Sequence, residues 1–334
     1  MSGFENKTIL ITGASGLIGS NLVDRLMQSG IAKLIVTGRN KSKLEKSFPD
    51  YNGSKIFQVI EHDASTPYPE EIKNVDYIFH AAGPMERNIV MNNPVNVILP
   101  NVLGTINALE FLKKQESETG CKGRAVIFSS VTVYNNPTNE DYVAVERETS
   151  FAQPLDALSV CYSESKRMSE VIAKSYVKQY GIDAVIARFS TVYGPTRNIP
   201  DTAFYEFISN AVEGRNIVLN GVNAPRRDNI YVDDAVEGLM QVALKGIRSE
   251  SYNISSNGER GNYIAVDEIA ELIAKVVGNV YQRIPVKVVK PLPAGQRKPG
   301  LKLSNEKLKK LGWSVTVCQE EGVRFTVEQL YNLR

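Results

Sequence analysis

A tyrosine and a lysine four positions apart are the residues of this chain best suited to chemistry. Tyr162-Ser-Glu-Ser-Lys166 opens a stretch with helical periodicity, so both side chains lie on one helix face. A neighbouring ammonium stabilises a phenolate, and we therefore expect Lys166 to lower the pKa of Tyr162 below its usual value of about 10. Such a phenol can exchange a proton with a substrate oxygen. Because pairs with this spacing also arise by chance, their neighbours decide the interpretation.

Two serines stand at the end of a predicted parallel strand and supply that context. Ser129 ends the predicted strand 125–129 and Ser130 follows it, and ligands bind at the carboxyl ends of such strands. We expect Ser130 to donate to the oxygen that Tyr162 protonates or deprotonates, and Thr132 is a further catalytic candidate. If the chain lacked Tyr162 and Lys166, we would give equal weight to the alternative that the Ser129 and Ser130 hydroxyls only cap the strand end.

A glycine-rich turn follows the first predicted strand and opens a helix. The segment reads Gly13-Ala-Ser-Gly16-Leu-Ile-Gly19. Glycines permit the tight turn and let backbone N–H groups and the helix N-terminus approach a pyrophosphate, so dinucleotide binding is favoured over a plain turn. The candidate cofactor residues are Gly13, Ser15, Gly16, Leu17, Ile18 and Gly19, with Ala81, Ala82 and Gly83 after the fourth strand and with Tyr162 and Lys166.

The end of the second predicted strand suggests which cofactor is bound. Gly38 stands where an acid would accept from a free ribose 2′-OH, and Arg39 follows it, next to Asn40. A planar guanidinium suits a 2′-phosphate, so NADP(H) is favoured over NAD(H). A solvated basic loop with Arg39 stacked on adenine is the alternative. Asp63, beside Ala64, is placed to accept from the adenine amino group, although a turn aspartate would look the same.

Strand-like and helical segments alternate through the first half of the chain. Predicted strands cover 8–12, 33–37, 56–60, 76–80, 125–129 and 183–188, and predicted helices cover 17–29, 94–115 and 163–180. This pattern indicates an α/β fold with a doubly wound parallel sheet. Pro100 should kink or restart the helix that contains it. Beyond residue 195 the alternation loosens, so we predict a cofactor domain over 1–190 and a smaller mixed α/β lobe over 191–334, with some elements crossing between them.

Composition and charge exclude several classes of protein. The 334 residues carry 39 basic and 37 acidic side chains without long runs of one sign, which argues against nucleic-acid and membrane partners. Three cysteines without a Cys-x-x-Cys pair argue against a disulfide framework and a zinc site. We see no apolar stretch near the roughly 18 residues of a membrane span and no signal sequence, and we expect a cytoplasmic protein.

His62 and His80 have no carboxylate or second histidine at the spacing of metal ligands, so no metal is expected. We expect His80 to pack beside the cofactor.

The order of the motifs resembles that of extended short-chain dehydrogenases/reductases, in their nucleotide-sugar epimerase/dehydratase branch. The segments that carry the resemblance are Gly13–Gly19, His80–Gly83, Asn101–Thr105, Ser130 with Tyr162 and Lys166, Arg188–Pro195, Arg227–Asp234 and Leu311–Trp313. The stretch Cys161–Glu170 is most similar to UDP-glucuronate decarboxylase-like members. The resemblance implies a Rossmann domain, a C-terminal nucleotide-sugar lobe and a homodimer built through a four-helix bundle.

The strand-end motif separates the reactions known in that branch. Dehydrating members resemble one another in carrying Asp-Glu directly after the serine or threonine, and decarboxylases place Glu two positions on. Val131 and Thr132 stand there in this chain. Because β-elimination then lacks its acid and base, we favour an NADP(H)-dependent nucleotide-sugar 4-ketoreductase. An NAD(P)-retaining 4-epimerase is the alternative, followed by a decarboxylase, a dehydratase or a catalytically silent binding member.

The resemblance also implies a set of residues for the nucleotide-sugar substrate. Arg227 matches an arginine that grips the diphosphate in relatives, and Arg297 is a candidate second clamp. Thr191 replaces an asparagine that commonly contacts that diphosphate. We assign Met85 and Arg87 to the substrate as well. The alternative is that Arg227 and Arg297 are solvated surface residues, as we expect of their neighbours Arg226 and Lys298.

Overall fold

A larger and a smaller β-sheet, a separate pair of two short strands and the helices around them make up the described part of the protein. The computed structural model describes residues 3–84, 87–134, 140–148, 154–221, 223–291 and 296–331. The strands are β1 Thr8–Thr12, β2 Lys33–Gly38, β3 Phe57–Glu61, β4 Tyr77–His80, β5 Arg124–Ser130, β6 Tyr142–Ala144, β7 Asp183–Phe189, β8 Thr191–Tyr193, β9 Ile217–Val218, β10 Arg227–Tyr231, β11 Ser251–Ile254, β12 Tyr263–Ile264, β13 Val288–Val289 and β14 Leu301–Leu303. The helices are α1 Leu17–Met27, α2 Lys41–Ser47, α3 Arg87–Asn92, α4 Val95–Thr119, α5 Val160–Tyr180, α6 Ala203–Val212, α7 Val232–Lys245, α8 Val266–Val280, α9 Glu306–Lys309 and α10 Gln319–Leu330.

The larger sheet has seven parallel strands in the order β11-β7-β5-β4-β1-β2-β3. Its central strands are apolar on both faces, and Leu10, Ile11 and Phe79 are fully buried. Helices cover both faces, which is why continuous apolar runs, rather than alternating ones, form these strands. The predicted α/β class and doubly wound parallel sheet are confirmed.

The strand order places the functional motifs at one edge of this sheet. The chain passes from β1 outward to β2 and β3, and then from β4 outward in the other direction to β5 and β7. In sheets of this kind ligands bind at the carboxyl ends of the strands where the order reverses, which here is next to β1 and β4. The glycine-rich turn, the segment after β4 and Ser130 at the end of β5 therefore lie along the same edge.

The smaller sheet combines strands from distant parts of the chain. Its order is β12-β10-β14-β6, and β8 pairs with β10 outside that path. Strand β6 comes from the segment between β5 and α5, whereas β11, from the second half of the chain, pairs with β7 in the larger sheet. The two sheets thus exchange strands across residue 190, and a domain boundary at that point stays a prediction.

Helix α4 corrects two expectations. It runs unbroken over Val95–Thr119 with Pro100 inside it, so the proline does not restart the helix. Buried Asn101 and Thr105 fix the turns that follow, and the Pro100 carbonyl accepts from His80 Nε2 at 3.2 Å. The helix is also long and apolar enough to cross a membrane by length and composition, contrary to the expected absence of such a stretch. Core helices meet the same criterion, and α4 packs against α5 and β5.

Candidate functional site

The glycine-rich turn forms a close-packed cradle at the start of α1. Gly13 has φ +70°, and a Cβ there would lie 2.8 Å from the Ala81 carbonyl carbon; a Cβ on Gly19 would lie 2.6 Å from the Gly13 oxygen. Gly16 is the N-cap of α1, and no side chain caps this helix. Because the first N–H groups of a helix have no internal acceptor, the turn can offer them to an anion. These residues fit the pyrophosphate of a dinucleotide.

A loop from the second half of the chain holds that turn in place. Asn198 Nδ2 donates to the Ser15 carbonyl at 3.0 Å, and Asn21 Nδ2 in α1 donates to the Pro195 carbonyl at 2.9 Å. Arg197 pairs with Asp24 of α1 at 2.7 Å. No local pattern in the sequence links residues 195–198 to the first turn of the sheet, so these contacts were not predicted.

The segment after β2 presents basic groups beside this cradle. Arg39 is exposed, and Asn40, a predicted cofactor residue, caps α2 by accepting from Lys43 N at 2.8 Å. Lys43, Lys46 and Arg197 line an adjoining cleft of about 390 Å³. Acidic groups accompany them, since Arg197 pairs with Asp24 and Asp50 and the charge of Arg39 acts on Asp63.

Asp63, the candidate adenine ligand, follows β3 and is exposed, whereas the neighbouring Ala64 is buried. One carboxylate oxygen of Asp63 accepts from Ser65 N at 2.9 Å, which is the contact of a turn aspartate. That hydrogen bond lowers the pKa of Asp63, to which the charge of Arg39 also contributes. An ionised Asp63 retains a second oxygen for an adenine amino group.

The predicted catalytic residues come together at the end of β5. Ser130 Oγ accepts from Thr132 N at 3.2 Å, and its hydroxyl donates to the phenol of Tyr162, the third residue of α5. Lys166 Nζ donates to the Phe128 carbonyl at 2.8 Å and lies 5.8 Å from the Tyr162 ring centroid. The Thr132 hydroxyl is buried and has no hydrogen-bond partner in the part of the chain that is described.

The expected lowering of the pKa of Tyr162 is not found. Burial raises the pKa of this phenol, and the Ser130 hydrogen bond only partly opposes that effect. Burial also lowers the pKa of Lys166 to about 8, against the charge of Glu170. The helical spacing does place Lys166 beside Tyr162, but its ammonium donates to a backbone carbonyl. At neutral pH Tyr162 is therefore a protonated phenol, suited to donating a proton.

Asn101 of α4 was part of a recognised motif but had no predicted role. Its side chain is 1% exposed, and its Nδ2 donates to the Val97 carbonyl and to Ser165 Oγ at 3.0 and 2.9 Å. Its Oδ1 is buried without a partner among the described residues. A Cβ on Gly83 would overlap Asn101 Oδ1 and lie 3.0 Å from Lys166 Nζ. The orphaned oxygen therefore faces the predicted cofactor residue and the catalytic lysine.

His80 packs at the end of β4, as its sequence context predicts. Its Nε2–H donates to the Pro100 carbonyl, which leaves Nδ1 to accept from Thr12 Oγ1 at 2.9 Å. Thr12 Oγ1 accepts in turn from Ala82 N at 3.2 Å. Burial lowers the pKa of His80 to about 3, so the ring is neutral. Gly104 is required here, since a Cβ would lie 2.6 Å from His80 Cε1.

The candidate substrate arginines differ in their partners. Arg297 forms a bidentate ion pair with Asp267, at 2.9 Å for each oxygen, and Arg226 pairs with Glu268. Arg227 is exposed at the start of β10 and forms no ion pair with any residue within the described ranges. Arg227 thus retains its charge for an anion, whereas a diphosphate at Arg297 would have to compete with a carboxylate.

The other candidate substrate residues are less informative. Thr191 begins β8 and pairs with Asn229 of β10, so it lies in the same group of strands as Arg227. Arg87 begins α3, and Met85 lies outside the described residues. The described residues include no group of three or more His, Cys, Asp or Glu arranged for a metal ion.

Comparisons with known proteins identify the family of this chain. Residues 9–255 match the sequence model of a family described as the NAD dependent epimerase/dehydratase family. The chain is 32% identical over 333 residues to UDP-glucuronic acid decarboxylase 6 of Arabidopsis thaliana, which covers 99% of this chain and 90% of the relative. It is also similar to the crystal structure of a UDP-glucose 4-epimerase from Thermotoga maritima with UDP-glucose, at 25% identity and a TM-score of 0.76, covering 97% of this chain and 98% of the other.

A further similarity concerns the fold alone. The enzyme WbmF of Bordetella bronchiseptica, solved with NAD+ and UDP, has a TM-score of 0.76 at 24% identity, with 98% of this chain and 93% of that chain covered.

The family match spans most of the chain and includes the glycine-rich turn, Ser130, Tyr162 and Lys166. The chain is therefore an enzyme of the NAD dependent epimerase/dehydratase family, within the extended short-chain dehydrogenases/reductases.

Proposed function

We propose that this enzyme catalyses hydride transfer at C4 of a nucleoside-diphosphate sugar. The observation that carries the proposal is the buried group of Ser130, Tyr162 and Lys166 at the carboxyl edge of the parallel sheet, with a threonine at position 132. The similarity to a UDP-glucuronic acid decarboxylase and to a UDP-glucose 4-epimerase supports a nucleotide sugar as the substrate.

Each residue of this group has a distinct task in the proposed reaction. A bound nicotinamide cofactor supplies or accepts the hydride at C4. Tyr162 donates a proton to the C4 oxygen during reduction and removes it during oxidation. Ser130 donates to the same oxygen and stabilises the negative charge that develops there. Lys166, while protonated, stabilises the phenolate form of Tyr162 and is positioned to hold the nicotinamide ribose.

Reduction of a 4-keto sugar is the net reaction that we favour. Burial keeps Tyr162 protonated, which suits donation to a ketone oxygen. Neither Val131 nor Thr132 can act as the carboxylic acid or base that a β-elimination requires. Neither the decarboxylase nor the epimerase named above is a 4-ketoreductase, so this preference depends on the site residues. The similarity to a UDP-glucose 4-epimerase makes 4-epimerisation the second candidate.

The cofactor is NAD(H) or NADP(H), and two kinds of observation point in different directions. The family is described as NAD dependent. Gly38 with exposed Arg39, beside Lys43 and Lys46, favours a 2′-phosphate instead, and on these residues we propose NADP(H). Titrating both cofactors into the purified enzyme decides between them, since equal or weaker affinity for NADP(H) would refute the preference.

A second copy of this chain is the proposed partner. Helices α4 and α5 pack against each other and expose an apolar face that includes Val95, Leu99 and Leu103 of α4 with Met168 and Val171 of α5. Two such faces would form the four-helix bundle that the family resemblance implies. Cys121, Cys161 and Cys318 are free thiols, which suits the reducing cytoplasm that we propose as the location.

The variant Tyr162→Phe tests the function. It removes only the phenol oxygen, so folding and cofactor binding should persist while turnover falls by about 10²–10⁴-fold. The assay follows reduced nicotinamide across a panel of 4-keto and 4-hydroxy nucleotide sugars. The sugar products are analysed as well, with UDP-glucuronate in the panel, because epimerisation and decarboxylation leave the cofactor unchanged overall. Near-parental turnover of Tyr162→Phe on every accepted substrate would refute the proposal and favour a silent binding protein. Isomerisation without net change of cofactor would favour the epimerase.

A further inference from the structure

A buried ion pair lies behind the proposed catalytic residues and has no part in the reaction described above. Arg188 of β7 donates from Nε to Glu170 Oε1 at 2.8 Å and from Nη2 to Glu170 Oε2 at 2.6 Å. The two residues are only 8% and 6% exposed. Replacement of a buried ion pair by well-packed apolar residues is often neutral or stabilising, so stability alone is a weak reason for this pair.

The ion pair contacts both elements that carry the catalytic groups. Glu170 follows Lys166 by one helical turn on α5, so their side chains share a helix face. Glu170 Oε1 also accepts from Ser129 Oγ at 2.5 Å, and Ser129 directly precedes Ser130 on β5. Arg188 stands opposite Ser129 in the β5–β7 register. The position of the strand end and the position of the helix are therefore coupled through one carboxylate.

The hydrogen-bond network continues towards the smaller sheet. Arg188 Nη1 donates to Tyr134 Oη at 2.5 Å and to the Glu146 carbonyl at 3.1 Å. Tyr134 donates to Asn253 Oδ1 at 2.8 Å, and Asn253 N donates to Glu146 Oε1 at 3.0 Å. Glu146 follows strand β6, which pairs with β14, and β14 pairs with β10 at Arg227. The ion pair thus links the catalytic helix to the strands that carry the proposed diphosphate ligand.

We propose that Glu170 and Arg188 are positioning residues for the catalytic group. Arg188 holds the Glu170 carboxylate, and that carboxylate fixes the Ser129–Ser130 strand end one helical turn from Lys166 on α5. This inference rests on the proposed function, since it assigns the pair a role only through Ser130, Tyr162 and Lys166.

The charges around Lys166 support an electrostatic role for Glu170. His80 faces it from β4 and is neutral, and Tyr162 on the same helix is a protonated phenol at neutral pH. Phe128 of β5 contributes a carbonyl oxygen. Glu170 is the carboxylate whose charge raises the pKa of Lys166, with Arg188 bound on its other side. Removing the Glu170 charge must therefore make Lys166 easier to deprotonate.

The test compares pH–rate profiles of the full-length enzyme for Glu170→Gln and for a matched control. Asp183→Asn breaks the Arg124–Asp183 ion pair, which joins the same two strands at their amino ends, at 2.9 Å. We expect Glu170→Gln to lower kcat and to move the alkaline fall in rate to lower pH by about one unit, while KM changes little. Asp183→Asn should keep the parental profile, and Glu170→Asp, which retains the charge, should restore the alkaline limb.

Two further variants keep each outcome decisive. Ser129→Ala removes one neutral hydrogen-bond donor and should fold even where Glu170→Gln does not. We expect the kcat of Ser129→Ala to fall about tenfold at constant KM. An unchanged kcat would overturn the positioning role. The positioning role would also be overturned if the rate of Glu170→Gln fell at the same alkaline pH as the rate of Asp183→Asn. Tyr162→Phe is measured in parallel. If Tyr162→Phe keeps its turnover, the proposed function itself is refuted. If Tyr162→Phe loses turnover but the alkaline limb of Glu170→Gln stays at the parental pH, only the positioning role is refuted.

Discussion

Replacing Gly83 by alanine tests how closely the cofactor edge and the catalytic lysine are packed. Gly83 follows β4, and its backbone does not adopt a positive φ, so alanine introduces no backbone strain. The new methyl group would overlap Asn101 Oδ1 and stand 3.0 Å from Lys166 Nζ. The effect of Gly83→Ala is therefore steric and local to the site.

The magnitude follows from how firmly Asn101 is held. Its side chain is 1% exposed, and rotation away from the methyl group would break the hydrogen bonds of Nδ2 to the Val97 carbonyl and Ser165 Oγ. Overpacking a well-filled interior costs about 1–3 kcal/mol, and a lost neutral hydrogen bond costs about 1 kcal/mol more. We expect Gly83→Ala to lower the free energy of unfolding by roughly 2–4 kcal/mol. Turnover should also fall, because Lys166 must move from the Phe128 carbonyl.

Denaturant unfolding and steady-state kinetics measure the two effects, with Gly221→Ala as the control. Gly221 is exposed, has no positive φ, and a Cβ there would meet no atom of the described residues within 4 Å. Gly221→Ala should therefore match the parent in stability and turnover. If Gly83→Ala behaves like Gly221→Ala in both measurements, the close approach of residue 83 to Asn101 and Lys166 is wrong.

Three further predictions concern the cofactor, the substrate and the assembly. Gly38→Asp combined with Arg39→Leu should shift preference towards NAD(H) by roughly tenfold to hundredfold in Kd, and a parent without preference for NADP(H) would contradict this. Arg227→Ala should raise KM for the nucleotide sugar with little loss of stability, whereas Arg297→Ala should reduce stability by leaving Asp267 unpaired; the reverse pattern would contradict both assignments. Leu99→Lys, on the exposed face of α4, should convert a dimer to a monomer in light scattering, and an unchanged mass would argue against that interface.

The sequence was sufficient for the large sheet and for the meeting of the catalytic residues. Strands β1 and β7 contain the continuous apolar runs Ile9–Ile11 and Ala184–Ala187, which only a sheet covered on both faces can bury. The Tyr162–Lys166 spacing is a local property of one helix, and Ser130 stands at the end of a recognisable strand. Each of these features depends on residues close together in the chain.

Features that depend on distant contacts were not predictable. The pKa of Tyr162 depends on its burial and on Ser130 at the end of β5, and the Lys166 ammonium donates to the Phe128 carbonyl of the same strand. Arg297 looked like a free cation because Asp267 lies 30 positions earlier in the chain. Pro100 looked like a helix breaker, although the buried turns after it and the His80 contact keep α4 continuous.

The identity of residue 132 bears on the 4-ketoreduction that we propose for a chain similar to a UDP-glucuronic acid decarboxylase. The chain is 32% identical to that decarboxylase over 333 residues, and we propose that its own glycine-rich turn and Tyr-Lys helix serve hydride transfer. The fate of the sugar after hydride transfer depends on groups near the neighbouring sugar carbons. A threonine hydroxyl does not ionise near neutral pH, so Thr132 can orient a substrate group but cannot act as an acid–base catalyst in an elimination. With its buried hydroxyl unpartnered in the described chain, Thr132 is suited to binding the sugar while the chemistry stays at C4.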